Sequence, residues 1–524
     1  GSDRGTEPRR YPHGPRIVTF RSQAGRRLML SLATVLCTLL FTVDSTIVNV
    51  ALPHMRGSLQ ATQDQIAWVL TSYIVVGAIA TPLAGWLGSR FGLRRVLAIS
   101  VVGFTLGSVA CGFATGLGEM VAFRMVQGLF GAALVPLAQV ALLQEYPPEQ
   151  HGRVMALWTM GMLVGPIIGP TLGGYLTDTL SWRWAFFINV PIGLLAYFGL
   201  LEGLAAEHDD HSRPFDWTGF ILLSLALGLF QLMMDRGQTL DWFESTEVVA
   251  EGFFAAVLGF MFVVHSMTTR HAFVDPTLFR DRNFLIAVTL MFVIGLSMLS
   301  PSVLLPSFLQ SLQGYTPTQA GTLQAVRGVS AIVAVMIAGR LVGRIDPRIL
   351  VGAGVLFSAI SLLMLGGFSL DTPRAQVIIA GIAQGCGAPL IVVPLSVMAY
   401  STLSPAQRAE AGAILTLIRN TGSTVGISTV VAILARSTQI NMSYLGEHFS
   451  AYDVQRWQAT GVVPGANPGT AHLMGEIERQ AAAMAYANDF HILALATITV
   501  LPLVWFLRPP KGKVTRRLDV AEMG

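Results

Sequence analysis

The chain has 524 residues, of which 52% are hydrophobic and only 12% are charged. Soluble domains carry about 25% charged residues, so this composition excludes an ordinary soluble protein and indicates one that crosses a membrane many times. The net charge of +4 does not indicate a nucleic-acid partner, because the basic residues fall between apolar runs, as membrane topology requires. Cys37, Cys111 and Cys386 lie within apolar runs without CxxC spacing, so they predict neither a zinc site nor a disulfide.

The first apolar run, residues 28–50, contains a single acidic residue, Asp44, in the sequence VDSTIVNVALP. A carboxylate in the middle of a membrane helix costs about 2.5 to 3.5 kcal/mol, so it is retained where it faces a protein interior or a wet cavity. Asp44 is therefore the first candidate functional residue. The alternative is that it lies near the end of its helix, where it reaches the interface or caps a neighbour.

Fourteen apolar runs are each close to the roughly 20 residues that a membrane-spanning helix needs. They cover residues 28–50, 66–87, 96–114, 120–143, 154–175, 184–201, 217–234, 248–267, 284–308, 320–342, 349–368, 375–399, 409–434 and 490–507. The sequence therefore predicts an all-α membrane protein with fourteen transmembrane helices. Arginines and lysines cluster in alternate connections, and the positive-inside rule then places both termini in the cytoplasm. The long external connection, residues 437–488, is long enough to be a binding element.

An internal repeat connects the two ends of the chain. Three pairs of matching features share one offset of 257 residues, namely Gln127 with Gln384, Gly165 with Gly422, and Pro148 with Pro405. The repeat predicts two related six-helix bundles, residues 28–203 and 284–507, a plan that many secondary transporters use. Residues 204–283 then form a linker with two extra transmembrane helices, and residues 1–27 and 508–524 are the predicted cytoplasmic tails.

The connection between the second and third runs reads GWLGSRFGLRR at residues 85–95. It resembles the loop between spans 2 and 3 of the major facilitator superfamily, with Ser89 at a position where an aspartate is usual. Glycines let helix ends approach closely, and arginines bind carbonyls and acids. The resemblance implies a cytoplasmic gating loop formed by Gly85, Arg90, Gly92, Arg94 and Arg95.

The fourth run contains Arg124 in RMVQGLFGAA, which resembles the fourth-span motif of the same superfamily, whose arginine is implicated in proton transfer. A guanidinium inside an apolar span needs an acid or backbone carbonyls as partners. Asp44 is the one acid well inside the first six runs, so it is the expected partner of Arg124. The alternative is that Arg124 only ties helices together.

The fifth run reads GMLVGPIIGPTLGG at residues 161–174 and resembles the fifth-span motif of exporters in the superfamily. Glycines four residues apart share one helix face and permit close packing, while prolines remove backbone hydrogen bonds and make a helix bendable. A hinge and a simple packing seam would produce the same pattern. The candidate hinge residues are Gly161, Gly165, Pro166, Gly169, Pro170, Gly173 and Gly174.

Three further segments narrow the resemblance, namely WVLTSY (68–73), WRWAFFINVPIG (182–193) and MDRG followed by DWF (234–243). Together with the Asp44 segment they are similar to the EmrB-type fourteen-span drug:proton antiporters. The resemblance implies a bacterial inner-membrane exporter that works with a periplasmic adaptor and an outer-membrane channel. It also implies lipophilic weak acids and amphiphiles as substrates.

We therefore predict a proton-driven exporter in which Asp44 takes up a proton from the outside and releases it inside, with protons as the coupling ion and no cofactor. Arg327 and Arg419 lie well inside late spans in which no acid is expected, so they either face the cavity and favour weak acids or pack against backbone carbonyls. The candidate cavity residues are Asn49, Gln127, Gln139, Arg327 and Arg419. No metal site is predicted, since residues 207–211 (EHDDH) read as a charged loop.

Two alternatives remain open at this stage. An uptake symporter would share the fold, and only the glycine and proline pattern of the fifth run argues against it. A membrane-embedded enzyme would need a nucleophile and base, or a metal set, converging at one membrane face. The sequence contains no such set and no GxxxxGK[ST] pattern, so ATP-driven transport is also disfavoured.

Overall fold

The computed structural model describes residues 23–204, 215–270, 272–447 and 467–508. Within these residues fourteen helices are long and apolar enough to cross a membrane, which confirms the predicted number of spans. The predicted charged loop at 207–211 lies outside the described residues, as do most of the two predicted tails.

The helices are, in chain order, α1 (Gln23–Ser58), α2 (Gln63–Phe91), α3 (Leu93–Phe113), α4 (Leu117–Gly131), α5 (Leu134–Glu145), α6 (His151–Thr179), α7 (Trp184–Phe187), α8 (Asn189–Gly203), α9 (Trp217–Arg236), α10 (Thr246–Thr268), α11 (Arg282–Ser311), α12 (Pro317–Leu341), α13 (Pro347–Gly366), α14 (Arg374–Ser401), α15 (Pro405–Glu447), α16 (Asn467–Ile498) and α17 (Leu501–Trp505). The fourth span consists of α4 and α5, the sixth of α7 and α8, and the last of α16 and α17.

The break within the fourth span has a local cause. Pro136 has no N–H to donate to the carbonyl of Ala132, and its ring clashes with that carbonyl. The regular helix accordingly stops at Gly131 and resumes at Leu134.

Two helix starts are marked by capping boxes. Thr62 with Gln65 caps the start of α2, and Thr316 with Gln319 caps the start of α12.

The helices alternate in direction, so the basic connections fall at one end of the bundle. We call this the arginine-rich end; it carries Arg90, Arg94, Arg95, Arg340, Arg344 and Arg348. An ion pair from Arg26 to Glu145 joins the start of α1 to the end of α5 there. At the same end the Arg94 side chain donates to the Leu201 carbonyl, joining α3 to the end of α8.

The two halves of the chain meet along an axis between α5, α6, α14 and α15. Gln139 donates to the Ser396 hydroxyl at 3.0 Å, and Arg419 approaches the Met162 sulfur at 3.3 Å. In both pairs the partners are 257 residues apart in sequence, which is the offset of the internal repeat. Residues related by a two-fold rotation can touch each other only near the rotation axis, so these contacts mark a pseudo-two-fold axis between the halves.

At the arginine-rich end the halves pack tightly against each other. A Cβ atom placed on Gly85 of α2 would lie 2.8 Å from the Cβ of Ala413 in α15, and one placed on Gly152 of α6 would lie 2.6 Å from Val342 at the end of α12. Tyr400 also donates to Gln139 across the halves at 3.0 Å. These contacts close the space between the halves at this end.

The two inserted helices lie beside the place where the halves meet. Asp235, near the end of α9, accepts a hydrogen bond from Thr71 of α2, and Ser428 of α15 donates to the Met234 carbonyl at 2.8 Å. Helix α9 therefore contacts both halves, whereas α10 packs mainly on α9.

Asp216 connects α9 and α10 at the arginine-rich end. Burial by itself would raise the pKa of the Asp216 carboxyl group. Hydrogen bonds from Gly219, His265 and Phe273 outweigh burial and hold this pKa below its usual range.

Helices occupy the described parts of the predicted external connection 437–488, and the last span begins earlier than predicted. Helix α15 continues to Glu447, and α16 begins at Asn467, with the Asn441 side chain donating to the Ala481 carbonyl at 3.2 Å. The last span accordingly covers Met474–Trp505 instead of residues 490–507. The alanine-rich run 471–487 is a good helix former whose hydropathy is too low to be counted as an apolar run.

Candidate functional site

Asp44 lies in α1, and its side chain is fully buried. Three side chains from two other spans donate hydrogen bonds to its two oxygens. Arg124 donates to Oδ2 at 2.7 Å, while Gln127 and Asn189 each donate to Oδ1 at 2.8 Å. We call Asp44, Arg124, Gln127 and Asn189 the Asp44 cluster. The guanidinium and the two amide groups give the buried carboxyl group three hydrogen-bond donors, one of them charged.

Arg124 is as deeply buried as its partner. Its Nε donates to the Val69 carbonyl at 3.1 Å, and its Nη1 also contacts the Gln127 oxygen at 2.8 Å. The guanidinium lies 4.0 Å from the centre of the Tyr73 ring, whose face attracts a cation. Arg124 is thus held by α2 and α4 independently of Asp44, so it can keep its position when the carboxylate changes its charge.

Asn189 and Tyr73 are functional candidates that the sequence alone did not single out. Asn189 bridges Asp44 and the Ser108 hydroxyl, at 2.8 Å and 2.9 Å. Both residues occur in the segments WRWAFFINVPIG and WVLTSY, which carry the resemblance to the antiporters. The available signal was a single amide within an otherwise apolar stretch, which needs a polar partner when it is buried.

We expect Asn189→Leu to lower the transport rate about tenfold, because Asp44 loses one of its three hydrogen-bond donors and the carboxylate is held less firmly beside Arg124. The measurement is the transport rate in vesicles at one fixed pH gradient. Gln231→Leu is the matched control, since Gln231 is a buried amide that contacts Thr424, away from Asp44. An unchanged transport rate in Asn189→Leu would contradict a role for Asn189 in positioning Asp44.

The glycines of the fifth-span motif pack directly against α1, on both sides of Asp44. Cβ atoms on Gly165 and Gly169 would lie 2.2 Å and 2.1 Å from the hydroxyls of Thr42 and Thr46. The same two threonines approach α6 carbonyls at 3.4 Å and 3.3 Å. Gly161 and Gly173 continue this seam, against Val35 and Ile47. Pro166, Pro170 and Gly174 lie in the same helix. The seam is thus present, and the hinge role stays a prediction.

The predicted gating loop lies at the arginine-rich end between α2 and α3. Gly92 has a φ of 82°, a conformation that glycine adopts without strain. The Arg90 guanidinium lies 5.1 Å from the centre of the Trp86 ring, and Ser89 donates to the carbonyl of Trp86 in its own helix. Arg95 also lies in this loop. Gly85 packs on α15, so the loop adjoins the closed contact between the halves.

Known proteins of similar sequence show the family to which the chain belongs. The sequence profile described as Major Facilitator Superfamily matches residues 34–300 and 285–466. The chain belongs to this superfamily. It is 33% identical to the multidrug export protein EmrB of Haemophilus influenzae, over 94% of this chain and 97% of the relative. It is 32% identical to the fatty acid resistance protein FarB of Neisseria gonorrhoeae, over 89% and 93% of the two chains.

The solved structure of the proton:xylose symporter XylE has the same fold as this superfamily member. The TM-score is 0.61 at 15% identity, and the match covers 94% of this chain and 98% of that one. The human organic anion transporter MFSD10 gives a TM-score of 0.58 at 14% identity, over 92% and 100% of the chains. The protein is therefore a multi-pass membrane transporter with the predicted major facilitator fold, related to the EmrB export proteins.

The predicted cavity residues occupy different places in this transporter. Gln127 belongs to the Asp44 cluster, and Gln139 bridges the two halves. Arg419 also lies between the halves, near Met162. Arg327 instead lies within the C-terminal half, bound to the Met298 carbonyl and the Ser302 hydroxyl. Asn49 is exposed and donates to the Ser45 carbonyl of its own helix, so it is not part of the Asp44 cluster.

Asp489 overturns the expectation that the late spans contain no acid. It lies in α16 within the last span, is fully buried, and neither of its oxygens has a hydrogen-bond partner. Its buried neighbours in the chain, Tyr486 and Phe490, belong to an apolar cluster between α11, α13, α14 and α16. The residue was missed because the last span was placed one residue too late to include it.

We expect Asp489→Ala to raise the unfolding temperature of the purified protein by a few degrees. The substitution removes a buried polar group that gains no hydrogen bond in this conformation, at the cost of a small void. The measurement is thermal unfolding in detergent, with Asp489→Asn as the control that keeps a polar group of similar size. A lower unfolding temperature for Asp489→Ala would mean that the carboxyl group stabilises the fold.

A groove of about 890 Å³ lies between α3, α4 and α8. Its walls are mainly apolar, and they include the exposed side chains of Ile99 and Leu106. The groove therefore faces outward from the helix bundle, where lipid surrounds a membrane transporter, and not toward the space between the halves.

Proposed function

We propose that the protein is a secondary active exporter that moves lipophilic substrates out of the cell in exchange for protons, with Asp44 as the proton carrier. The observation that carries this proposal is the fully buried ion pair between Asp44 and Arg124. Isolated charges are rare in membrane helices and mark ion and proton pathways. Protonation of Asp44 would remove the negative charge of the pair and weaken its attraction to Arg124. The equilibrium between the conformations of the transporter would then shift.

The closed arginine-rich end supports an order of steps. If this end faces the cytoplasm, as the positive-inside rule predicts, the Asp44 cluster is reached from the opposite side. Arg124 is seven residues from the start of α4, or about 10 Å from that side at about 1.5 Å per residue. A proton enters there, the halves rock about their axis, and the proton leaves to the cytoplasm. One proton crossing about 100 mV provides about 2.3 kcal/mol, enough for a roughly fifty-fold substrate gradient.

The test uses inverted membrane vesicles that are acidified inside and contain a pH-sensitive dye. Adding a lipophilic acid or dye should make protons leave the lumen if the substrate is exchanged for protons. Vesicles with Asp44→Asn should show no such movement. Substrate transport without proton movement in the wild type would contradict the coupling, and substrate and protons moving in the same direction would indicate a symporter.

Lipophilic weak acids are the substrate class that the charges favour. Arg419 lies between the halves, and within the described residues it makes no ion pair with a carboxylate. Once Asp44 is protonated, Arg124 in the N-terminal half and Arg419 between the halves are both without a carboxylate partner, and their positive charge attracts anions and repels organic cations. The relative FarB is named for fatty acid resistance, in agreement with this class.

The substrate proposal is tested by a resistance profile of a susceptible host. The wild type should protect against uncouplers and fatty acids more than against dicationic dyes, and Arg419→Ala should lose most of the protection against the acids. Strong protection against dicationic dyes with none against acids would contradict it.

We further propose that the protein resides in a bacterial inner membrane and passes its substrates to a periplasmic adaptor and an outer-membrane channel. Helix α15 has 43 residues, or about 64 Å at about 1.5 Å per residue, against a hydrocarbon core of about 30 Å. It therefore projects beyond the membrane and packs there against α16. The projecting parts expose Ile440 and Met474, which offer an apolar contact surface.

The adaptor proposal predicts that one variant can lose resistance in whole cells and still transport substrate in vesicles. Replacing residues 448–466 with a Gly-Ser linker of equal length, together with Ile440→Arg, should abolish resistance of whole cells and leave transport in vesicles intact. A variant with the linker alone shows how much of the effect comes from the helix surface. If resistance survives both changes, the adaptor binds elsewhere.

A further inference from the structure

Arg327 presents an unusual charge inside the C-terminal half. Its guanidinium donates to the Ser302 hydroxyl at 2.7 Å and to the Met298 carbonyl at 3.0 Å, and both acceptors are neutral groups of α11. Among the described residues no carboxylate forms an ion pair with it. Arg327 is half-buried within a membrane helix, where an unpaired cation is unfavourable, so a negative charge close to it would stabilise the protein.

Gln384 of α14 provides a second, independent observation. Its side chain is only 7% exposed, and neither the oxygen nor the nitrogen of its amide has a hydrogen-bond partner. Buried amides are nearly always hydrogen-bonded, and exceptions point to a bound water or ion. The amide group can be turned so that its N–H groups face a ligand.

A small cavity lies next to both side chains. It measures about 20 Å³ and is lined by residues of α11, α12, α13 and α14, among them Arg327, Gln384, Ser297 and Ser358. One water-sized particle needs about 10–15 Å³ of such space. The cavity therefore accepts a single water or a monatomic ion, and it is far too small for a drug or a fatty acid.

The internal repeat relates this cavity to the Asp44 cluster. At the repeat offset of 257, Gln384 corresponds to Gln127, Gly381 to Arg124, and Pro301 to Asp44. In the C-terminal half the guanidinium comes from Arg327 of α12. Arg327 lies beside Gly381, because a Cβ placed on Gly381 would be 3.9 Å from the Cβ of Arg327. The C-terminal half thus keeps the amide and a guanidinium of the cluster and lacks its carboxylate.

We propose that the cavity binds one chloride ion, which takes the place that the Asp44 carboxylate has in the N-terminal half. The Arg327 guanidinium provides the charge, and the Gln384 amide and a nearby serine hydroxyl provide hydrogen bonds. A water molecule could satisfy the amide, but it would leave the guanidinium without a counter-charge. The site is separate from the proton-carrying cluster, so it does not depend on the proposed direction of transport.

The experiment compares thermal unfolding of the purified protein in sodium chloride and in sodium gluconate at equal ionic strength. Chloride should raise the unfolding temperature of the wild type by several degrees, with a saturating dependence on concentration. Gln384→Leu and Arg327→Met should abolish this difference. Arg419→Met is the matched control, because it removes another arginine of the membrane region and should retain the full chloride effect.

Location is tested by a crystal structure with bromide in place of chloride. An anomalous peak beside Arg327 and Gln384 would place the ion in the cavity, even if the Arg327 variant fails to fold. Equal unfolding temperatures of the wild type in both salts would overturn the proposal. So would a chloride effect that persists in Gln384→Leu, or a cavity that holds only water in the bromide crystal.

Discussion

Replacing Asp44 with asparagine should abolish proton-driven transport and leave the protein folded. The amide keeps the size of the carboxylate and its Oδ1 can still accept a hydrogen bond, but the side chain no longer binds and releases a proton. We expect substrate-induced proton movement in vesicles to fall to the background of empty membranes. Asp44→Glu should retain part of the activity, because it restores an ionisable group at a slightly different distance from Arg124.

The control for this prediction is Glu251→Gln, which also turns a buried acid of a membrane helix into an amide. Glu251 pairs with Arg236 on the inserted helices, away from the Asp44 cluster. It should keep substrate-induced proton movement close to that of the wild type. Near-normal efflux driven by a pH gradient in Asp44→Asn would rule out Asp44 as the proton carrier.

Replacing Gly165 with leucine should disrupt the packing of α6 against α1, which is the second large effect that we expect. The new Cβ would lie 2.2 Å from the Thr42 hydroxyl and 2.8 Å from the carbonyl carbon of Thr42 in α1, so α1 and α6 must separate. Forcing a large side chain into a closely packed contact costs about 1 to 3 kcal/mol or more. We expect a clearly lower unfolding temperature and loss of transport, because the displaced helix carries Asp44.

Gly259→Leu is the matched control. Gly259 is also a helical glycine in a membrane span, on α10, but a Cβ placed there has no neighbour within 4 Å. This substitution should change neither unfolding temperature nor transport by much. If Gly165→Leu behaves like Gly259→Leu, the seam between α1 and α6 is not needed for function.

The fold could be predicted from the sequence because a bilayer imposes simple constraints. Each helix must be apolar over about 20 residues, and each unpaired charge within it is expensive, so charged residues in different spans are expected to find each other. Asp44 and Arg124 illustrate this, since each is alone in its own run and the structure brings them within 2.7 Å. The roles assigned to them stay predictions.

Neutral polar residues follow no such constraint, which explains why Asn189 was missed. An amide in a membrane helix can bond to its own backbone, to a neighbour or to water, so sequence alone does not fix its partner. Arg327 and Arg419 show the same limit. Both lie within late spans, yet Arg327 is bound within its own half and Arg419 faces the opposite half. Only the packing of the helices separates these cases.

The contacts on the pseudo-two-fold axis require that the two halves of the chain differ in sequence. In an assembly of two identical six-helix proteins, a residue on the axis faces its own copy. An arginine at the position of Arg419 would then face a second arginine, and two guanidiniums in apolar surroundings repel each other strongly. The present pairing of Arg419 with Met162 is therefore compatible only with two halves that have become different from each other. The two halves of this chain meet that requirement, because each side of the axis has its own sequence.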